Sequence, residues 1–419
     1  MRIVDYHRCT GCGACANACA QKAIQMKENA EGFLEPTVDE AVCVSCGICQ
    51  SVCPVLHEKC NKENECQKSL LVTTSDESYY RRSATVGLCT MLSEWVISQN
   101  GVVYGVWLDE SEWKAKHVCV SSKEELEKIR NSKYIQSDSG GCFKEIKEWL
   151  GQGVKVLFVG TPCQVAGLKS FLARPYDNLY TIDLVCHGVY SHKLLAEEVA
   201  YWEKTLGGKV EQFRFRSKEV FPWSDGGVIN FDLMDKRGRK KHVERHGRFS
   251  PTYRCYAYSG DGLNYNLRKC CYSCAFRDVK RYGDLTIGDA WMISEKYMKW
   301  NQVNCDRGVS IALANTPKGI AMTEAVSNNV RLKEIPMAAA FVQPALMDEH
   351  RPIPTQRDEL YARLGQEDYG RLVNRLLNVD VGSLYRKEIW SQKKKKIKKT
   401  IKKLVYGPRN RNKKEMESL

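Results

Sequence analysis

The sequence lacks long apolar runs. Although 43% of its 419 residues are hydrophobic, no apolar run approaches the roughly 20 residues that a membrane-spanning helix needs, so none is predicted. The first nine residues also lack the apolar stretch of a secretory signal, and we expect a cytoplasmic protein. In that reducing compartment, the twenty cysteines are expected to be metal ligands or catalytic groups before they are disulfides.

Most of the chain also lacks strong net charge. Of the total of +14, residues 391–419 contribute +10, from twelve Lys or Arg and two Glu, which leaves +4 for the rest. A body so close to neutral argues against a nucleic-acid-binding face. One helical face amid these lysines carries Trp390, Ile397, Ile401 and Leu404. The tail is therefore interpreted either as a peripheral membrane contact or as a solvated segment.

Near the N-terminus, one cysteine pattern occurs twice. Both copies have the spacing C-x2-C-x2-C-x3-C. In such a run, three cysteines hold one 4Fe-4S cluster and the fourth closes the other, so two clusters are predicted. The first is assigned to Cys9, Cys12, Cys15 and Cys53, and the second to Cys43, Cys46, Cys49 and Cys19. This part resembles a bacterial two-cluster ferredoxin domain; structural zinc is the alternative, although zinc sites usually use separated C-x2-C pairs.

After a polar segment, short apolar runs alternate with helical patterns, which predicts an α/β domain with a mainly parallel sheet. Strands are expected at 70–74, 102–108, 154–159, 179–185, 284–288 and 309–314, and in a strand-rich insertion at 210–216, 227–234 and 241–245. Helices are expected at 83–98, 123–130, 143–150, 164–173 and 193–206. The predicted organisation is an α+β ferredoxin-like domain at 1–58, a linker at 59–69, the α/β domain at 70–350, a helical region at 351–390 and the basic tail at 391–419.

Two cysteines are expected at the ends of strands. Cys163 falls in the first turn of a helix, with Thr161 as N-cap and Pro162 as the first helical residue, where the helix dipole stabilises a thiolate. Cys186 ends the next strand, at the sheet edge where open α/β folds bind ligands. Together with a distant C-x2-C pair they form a candidate third quartet: Cys163, Cys186, Cys271 and Cys274. The alternatives are two buried apolar thiols and a zinc half-site.

The remaining cysteines give weaker signals. Cys270 lies next to Cys271 and leaves a one-residue ambiguity in the quartet. The others are isolated and are expected to pack as small apolar side chains. They are Cys60, Cys66, Cys89, Cys119, Cys142, Cys255 and Cys305.

Five ordered motifs resemble the deazaflavin-dependent hydrogenase/dehydrogenase beta-subunit family, which includes plant 7-hydroxymethyl-chlorophyll reductase. They lie at 132–137 (SKYIQS), 160–168 (GTPCQVAGL), 183–188 (DLVCHG), 267–276 and 284–291 (DLTIGDAW). Many bacterial members are similar to this chain in carrying a fused ferredoxin domain. One departure is Val86, which stands where relatives have glycine, because valine does not readily adopt a positive φ.

The resemblance implies a flavin, FAD or FMN, and a further 4Fe-4S cluster held by the third quartet, with Cys271 in register. The candidate flavin contacts are Lys133, Tyr134, Ser137, Thr161 and Gln164. His187 and Asp289 are candidates for proton transfer, with helix capping as the alternative for an Asp after a strand.

The parts together predict an oxidoreductase. Clusters move single electrons, whereas reduction of an organic substrate or oxidation of a deazaflavin moves two, and a flavin converts one into the other. We expect an acidic electron carrier such as ferredoxin or flavodoxin as partner and a small-molecule substrate. The alternatives are a non-catalytic electron-transfer subunit that docks a partner enzyme, and a membrane-surface adaptor.

Overall fold

The computed structural model describes residues 2–57, 66–259, 261–298, 307–347, 350–388 and 390. The strands are β1 (Ile24–Glu28), β2 (Leu34–Val38), β3 (Lys68–Thr73), β4 (Val102–Asp109), β5 (Lys114–Val120), β6 (Ser137–Asp138), β7 (Val156–Gly160), β8 (Leu179–Leu184), β9 (Lys209–Arg214), β10 (Val228–Met234), β11 (Lys240–His246), β12 (Leu285–Asp289), β13 (Ser310–Ala314) and β14 (Arg331–Ile335).

The α-helices are α1 (Ala14–Ala18), α2 (Ile48–Ser51), α3 (Glu77–Arg81), α4 (Leu88–Ile97), α5 (Leu126–Ile129), α6 (Cys142–Gly151), α7 (Pro162–Leu172), α8 (His192–Leu206), α9 (Pro251–Ala257), α10 (Glu295–Met298), α11 (Pro317–Ala325), α12 (Met337–Ala340), α13 (Thr355–Arg363) and α14 (Tyr369–Leu376). Short 3-10 helices lie at Trp223–Asp225, Gly247–Phe249, Lys269–Cys271 and Pro344–Leu346.

The N-terminal part is a β-hairpin with two short helices. β1 and β2 pair antiparallel, and α1 packs against α2. Gly13 and Gly47 precede these helices with φ of 83° and 76°, a left-handed conformation that favours glycine. Both cysteine runs therefore turn into their helices through a residue without a Cβ.

A nine-stranded sheet forms the centre of the α/β part, in the order β14-β3-β13-β12-β8-β7-β4-β5-β6. The four middle strands, β12, β8, β7 and β4, are parallel. The prediction of a mainly parallel sheet is confirmed only in part, because the sheet is mixed. β13, β3 and β14 pair antiparallel on one side and β5 pairs antiparallel with β4 on the other, whereas β6 pairs parallel with β5. The apolar pattern of a strand reports its burial and not its direction, so the sequence left this open.

Both faces of this sheet are covered. Neighbouring residues of β7 enter different cores: Leu157 packs in a core with Leu92 of α4, and Phe158 packs in another with Phe143 of α6 and Leu168 of α7. This alternation follows from the two-residue period of a strand. The carboxyl ends of β7, β8 and β12 form an edge of the sheet where loops from both layers meet.

All nine predicted strands are present, with bounds that differ by a few residues, while β1, β2, β5, β6 and β14 were not predicted as strands. The helix expected from residue 83 begins only at Leu88, because Gly87 is left-handed, with φ of 86°. The helix expected at 123–130 shrinks to α5. The predicted linker at 59–69 overlaps β3, which begins at Lys68.

The insertion forms a separate three-stranded antiparallel sheet, β11-β10-β9. The C-terminal helices are not an independent unit, because Leu360 of α13 and Leu372 of α14 share one core with Trp202 of α8 and Phe231 of β10. Cys60, Cys305 and the basic tail at 391–419 lie outside the described residues, together with the membrane interpretation of that tail. Within the described part of the chain, no helix is both long and apolar enough to cross a membrane.

Candidate metal centres and ligand pocket

The first predicted cysteine set is brought together across 44 positions of sequence. Cys9, Cys12 and Cys53 are buried and Cys15 lies beside them. Burial raises the pKa of the Cys12 and Cys15 thiols, and the neighbouring thiols of Cys9 and Cys53 raise it further. Four sulfur atoms that repel one another's charge in a water-poor site are suited to a cation that neutralises them, as a thiolate-held metal centre does.

The second set lies toward solvent. Burial raises the pKa of Cys49, and the neighbouring thiols of Cys46 and Cys43 raise it further. Cys46 is exposed. Cys19 directly follows α1, which packs against α2, the helix that carries Cys49. The second set is therefore the outer of the two.

The third quartet converges at the sheet edge. Cys163 lies in the first turn of α7, Cys186 follows β8, and Cys271 and Cys274 lie in and after a 3-10 turn. Burial, and after it the neighbouring Cys271 thiol, raises the pKa of Cys186 to about 11. The same two causes raise the pKa of Cys274 to about 12. Burial, and after it the Cys274 thiol, raises the pKa of Cys163 well above its ordinary value. Each of the four thiols thus lies beside at least two of the others, a donor set that fits a thiolate-held cluster.

Local structure fixes these thiols. Thr161 is the N-cap of α7, as predicted, and it forms a capping box with Gln164, with Pro162 in the first turn. The Thr161 hydroxyl lies 3.1 Å from the Cys163 sulfur. The Gly188 amide donates to the Cys186 sulfur at 3.4 Å. Gly188 has φ of 113°, and a Cβ there would lie 3.1 Å from the Cβ of Cys271. Only a glycine lets these two chain segments approach so closely.

The quartet and the first set are adjacent. A Cβ on Gly167 would lie 2.9 Å from the Cys12 sulfur, so α7 packs directly on that cysteine. Cys12 is also among the charges that raise the pKa of Cys163. Ser139 donates to the Cys12 carbonyl at 2.9 Å, and Asn17 donates to Gly140 at 2.8 Å, which fastens the two parts of the chain.

Beyond the quartet, a cavity of about 680 Å³ opens at the same edge of the sheet. That volume is typical of a ligand site. All five candidate flavin contacts, both proton-transfer candidates and the four quartet cysteines line it. Loop residues 83–88 at the start of α4 line it as well, and Gly87 rather than Val86 takes the positive φ.

Several candidate flavin contacts are already used by the fold. The Gln164 side chain donates to the Ser137 hydroxyl at 3.0 Å and accepts from Thr161. The Lys133 ammonium donates to the carbonyls of Arg130 and Asn131, and burial lowers the pKa of Lys133 to about 7. Ser137, Thr161, Gln164 and Lys133 therefore shape the cavity wall first, and their contact with a flavin stays a prediction.

Asp289 forms a buried ion pair with Arg216 at 2.6 Å. Its carboxylate also accepts hydrogen bonds from Thr85 and, at 3.0 Å, from the Trp223 indole. Burial alone would raise the pKa of Asp289, but Arg216 and these donors outweigh it, so the pKa is lowered. Asp289 is thus a carboxylate at neutral pH and cannot donate a proton there. Burial lowers the pKa of His187 to about 4, and its catalytic role stays a prediction.

Sequence reasoning missed several residues that line the cavity. Ser83 Oγ, Asn131 Oδ1 and Arg216 Nε are buried and lack a hydrogen-bond partner among the described residues. Tyr134 packs between Tyr253 and Tyr256, with ring centroids 5.9 and 5.2 Å apart. Polar atoms that lack partners beside aromatic walls suit a ligand with a polar edge and a flat ring. Tyr134 was already a candidate from its motif, but no motif marked the other residues, because they come from separate segments of the chain.

Comparisons with known proteins agree with this architecture. Residues 153–339 match the family described as the C terminus of the coenzyme F420 hydrogenase/dehydrogenase beta subunit, and residues 8–56 match the 4Fe-4S dicluster domain. The Coenzyme F420-dependent sulfite reductase of Methanocaldococcus jannaschii is 25% identical over 255 residues, which are 56% of this chain and 39% of that protein. The chain therefore spans well under half the length of that relative.

Two further similarities accompany these. One subunit of the F(420)H(2) dehydrogenase of Methanosarcina mazei is 21% identical over 313 residues, 70% of this chain and 82% of that protein. A chain of the F420-reducing [NiFe] hydrogenase complex from Methanosarcina barkeri aligns with 16% identity over 78% of this chain and 94% of that chain, with a TM-score of 0.39. The chain thus carries one segment similar to a 4Fe-4S dicluster domain and a second segment similar to the C-terminal family of coenzyme F420 hydrogenase/dehydrogenase beta subunits.

Proposed function

We propose that this protein is an oxidoreductase in which single electrons pass from the outer cysteine set, through the first set and the third quartet, to a flavin and an organic redox partner in the cavity. The observation that carries the proposal is the position of the quartet. Its Cys163 lies within electrostatic reach of Cys12 on one side, and all four of its cysteines line the cavity on the other.

The cavity suits a flavin, FAD or FMN. A bound flavin supplies conversion between one-electron and two-electron transfer. The start of α4 offers backbone N–H groups for a phosphate, Tyr134 and Tyr256 form an aromatic wall, and Ser83 and Asn131 offer buried polar atoms without partners among the described residues. Arg216 adds positive charge held in place by Asp289. In this arrangement, the chain binds and orients the ring and keeps water away from it.

The redox partner in the cavity is proposed to be a deazaflavin or another small organic molecule. Both curated relatives are named for F420. His187 lines the cavity beside Cys186 and is retained as the candidate for holding a proton at the reacting end, while Asp289 is proposed to orient Arg216.

Electron entry is proposed at the outer set. Val42, Val44, Ile48 and Leu56 are exposed by 43%, 64%, 44% and 40%, and they surround exposed Cys46 in the sequence. Residues 36–57 contain two acidic residues and no Lys or Arg. This rim therefore favours a partner with an apolar contact face over the acidic carrier expected from the sequence, because like charges repel.

The decisive experiment is anaerobic purification with iron, sulfide and flavin quantified per chain. Twelve irons and one flavin are expected. Cys163→Ser should lose about four irons, the content of one 4Fe-4S cluster, whereas Cys142→Ser, which removes a buried thiol outside the quartet, should retain all of them. Eight irons in the wild type would overturn the third centre.

A second candidate function is a non-catalytic electron-transfer subunit. It is favoured by the apolar rim, which suits a permanent protein partner. Flavin content separates the two. A protein with a full iron count, no flavin and no reaction with two-electron donors is the subunit, whereas one whose flavin absorbance bleaches with such a donor is the enzyme.

A further inference from the structure

One arginine joins the first cysteine set to the third quartet. Arg268 lies three positions before Cys271, and its backbone amide donates to the Val189 carbonyl at 2.8 Å. Its side chain crosses to the N-terminal part, where Nε donates to the carbonyl of Cys9 at 2.9 Å and Nη1 donates to that of Leu34 at 3.0 Å. The guanidinium of Arg268 therefore contacts the backbone of Cys9, a proposed ligand of the first cluster, while Arg268 itself belongs to the loop that carries Cys271, a proposed ligand of the third centre.

The remaining nitrogen of this guanidinium has no partner among the described residues. Arg268 is 3% exposed, and its Nη2 is buried without a hydrogen bond to any of them. No described carboxylate lies within ion-pair distance of it. Burial alone would lower the pKa of Arg268, but the neighbouring thiols of Cys270, Cys9 and Cys271, and after them the Glu35 carboxylate, outweigh it, so the pKa is raised. The groups that act most strongly on this buried cation are therefore sulfur atoms, and Glu35 contributes less than they do.

A buried, unpaired cation is costly, and neutral thiols would not compensate it. Thiolate-held clusters on both sides would, because they carry negative charge and their sulfurs accept N–H hydrogen bonds. Reduction adds one electron to a cluster. A fixed positive charge and an N–H donor stabilise the reduced form more than the oxidised form, and hydrogen bonds to the sulfurs are among the features that set cluster potentials.

We propose that Arg268 is a positioning residue that raises the midpoint potentials of the first cluster and of the third centre together, so that electrons arriving at the outer cluster pass inward. For the third centre, the proposal rests on the function proposed above. For the first cluster, it rests on the contact between Arg268 and Cys9. The cysteines of the outer cluster are not among the thiols beside Arg268, so this cluster serves as an internal reference.

The test is a redox titration of the full chain, purified anaerobically and followed by electron paramagnetic resonance. In Arg268→Gln, the one-electron reduction equilibria of the first cluster and of the third centre should each fall at least tenfold, which for such a couple is about 59 mV toward lower potential. The outer cluster should keep its potential. Arg268→Lys keeps the charge but loses the planar fork, so a smaller shift in the same direction is expected.

Arg357→Gln is the matched control. Arg357 is also buried between the same two parts of the chain, but its charge is paired with Glu31. Equal shifts in Arg357→Gln and Arg268→Gln would show that loosened packing is the cause and would overturn the proposal, as would unchanged potentials in Arg268→Gln. If Arg268→Gln does not assemble its clusters, the test depends on Arg268→Lys alone. Unshifted potentials of the first cluster and the third centre in Arg268→Lys would then overturn the proposal.

The iron count separates this test from that of the proposed function. Eight irons in the wild-type protein would show that the third centre is absent, and the part of the proposal that concerns this centre would fail. The potential of the first cluster in the Arg268 variants still decides the other half.

Discussion

Arg357 donates two hydrogen bonds to the two carboxylate oxygens of Glu31, at 2.7 and 2.5 Å, across 326 positions of sequence. Glu31 lies in the turn between β1 and β2, whereas Arg357 belongs to α13 and also donates to the Leu267 carbonyl at 2.9 Å. The ion pair therefore fastens the tip of the N-terminal hairpin to the C-terminal helices.

Glu31→Gln should lower the free energy of unfolding by about 3 kcal/mol, because it leaves a fully buried guanidinium without its main partner. This is the low end for a broken buried pair, since Asp358 still contacts Arg357 at 2.9 Å. Urea unfolding of the anaerobic protein measures the loss. Arg375→Gln, which breaks exposed pairs with Glu359 and Glu367, is the control and should change stability little. Equal losses in both variants would contradict a special role for the buried pair.

Gly167→Ala should disturb the first cluster. Its new Cβ would lie 2.9 Å from the Cys12 sulfur, and a cluster ligand cannot move aside without changing the cluster. We expect a lower iron content and a lower melting temperature, although alanine favours a helix by up to about 1 kcal/mol relative to glycine. Gly151→Ala at the end of α6 is the control, since its Cβ would meet no atom within 4 Å. A stabilised Gly167→Ala protein with full iron would refute the close contact.

His117 should make stability depend on pH. Its ring is stacked on Phe158 with centroids 5.1 Å apart, and burial lowers the pKa of His117 to about 4. The unfolded state binds a proton near pH 6.5 and the folded state only near pH 4, so stability is full above the first value and falls as the pH drops toward the second.

His117→Gln should therefore remove about 3 kcal/mol of the acid-induced loss of stability between pH 6.5 and pH 4. Unfolding free energies measured across this interval, for wild type and variant, give the difference directly. His7→Gln changes an exposed histidine and should leave the profile of the wild type. Parallel profiles for wild type and His117→Gln would show that His117 does not titrate in this way.

Asp289→Asn should act on stability more than on proton transfer. It leaves Arg216, whose side chain is 4% exposed, without its carboxylate, and we expect a loss of about 3–5 kcal/mol in urea unfolding with unchanged iron content. Trp223→Phe keeps an aromatic ring against Trp291 but removes the indole donor, so a smaller loss of about 2 kcal/mol is expected. Wild-type stability combined with lost turnover in Asp289→Asn would instead restore a catalytic role.

Much of the fold could be read from local patterns. The capping signals at Thr161 and Pro162 placed the start of α7 correctly, and apolar runs located the strands of the central sheet. The missed strand β5 alternates lysines with small or polar residues, and its burial comes from Ala115, His117 and Val120 rather than from a continuous apolar run. Strand direction was also beyond local patterns, because it depends on which segments return to pair.

The candidate site was likewise only partly predictable from the sequence. Cysteine spacing is a local property, so the two N-terminal sets could be proposed from the sequence. The third quartet was proposed from two strand ends and a C-x2-C pair, and the motif resemblance then supported it. The ion pair of Arg216 with Asp289, the reach of Arg268 to Cys9 and the contact of Gly167 with Cys12 join residues 73, 259 and 155 positions apart. Pairings at such separations leave no periodic trace in the chain.

The sequence by itself determined the predicted ligand chemistry of the two N-terminal sets, because three thiols of each set, at fixed short spacing, are held within one loop whatever the rest of the chain does. Only the tertiary structure decided how the sulfur sites are arranged, with the first set against the third quartet and the quartet against a cavity. That arrangement depends on close packing between α1 and α7 and on buried charges such as Arg268 and Arg357, which form only when distant segments meet.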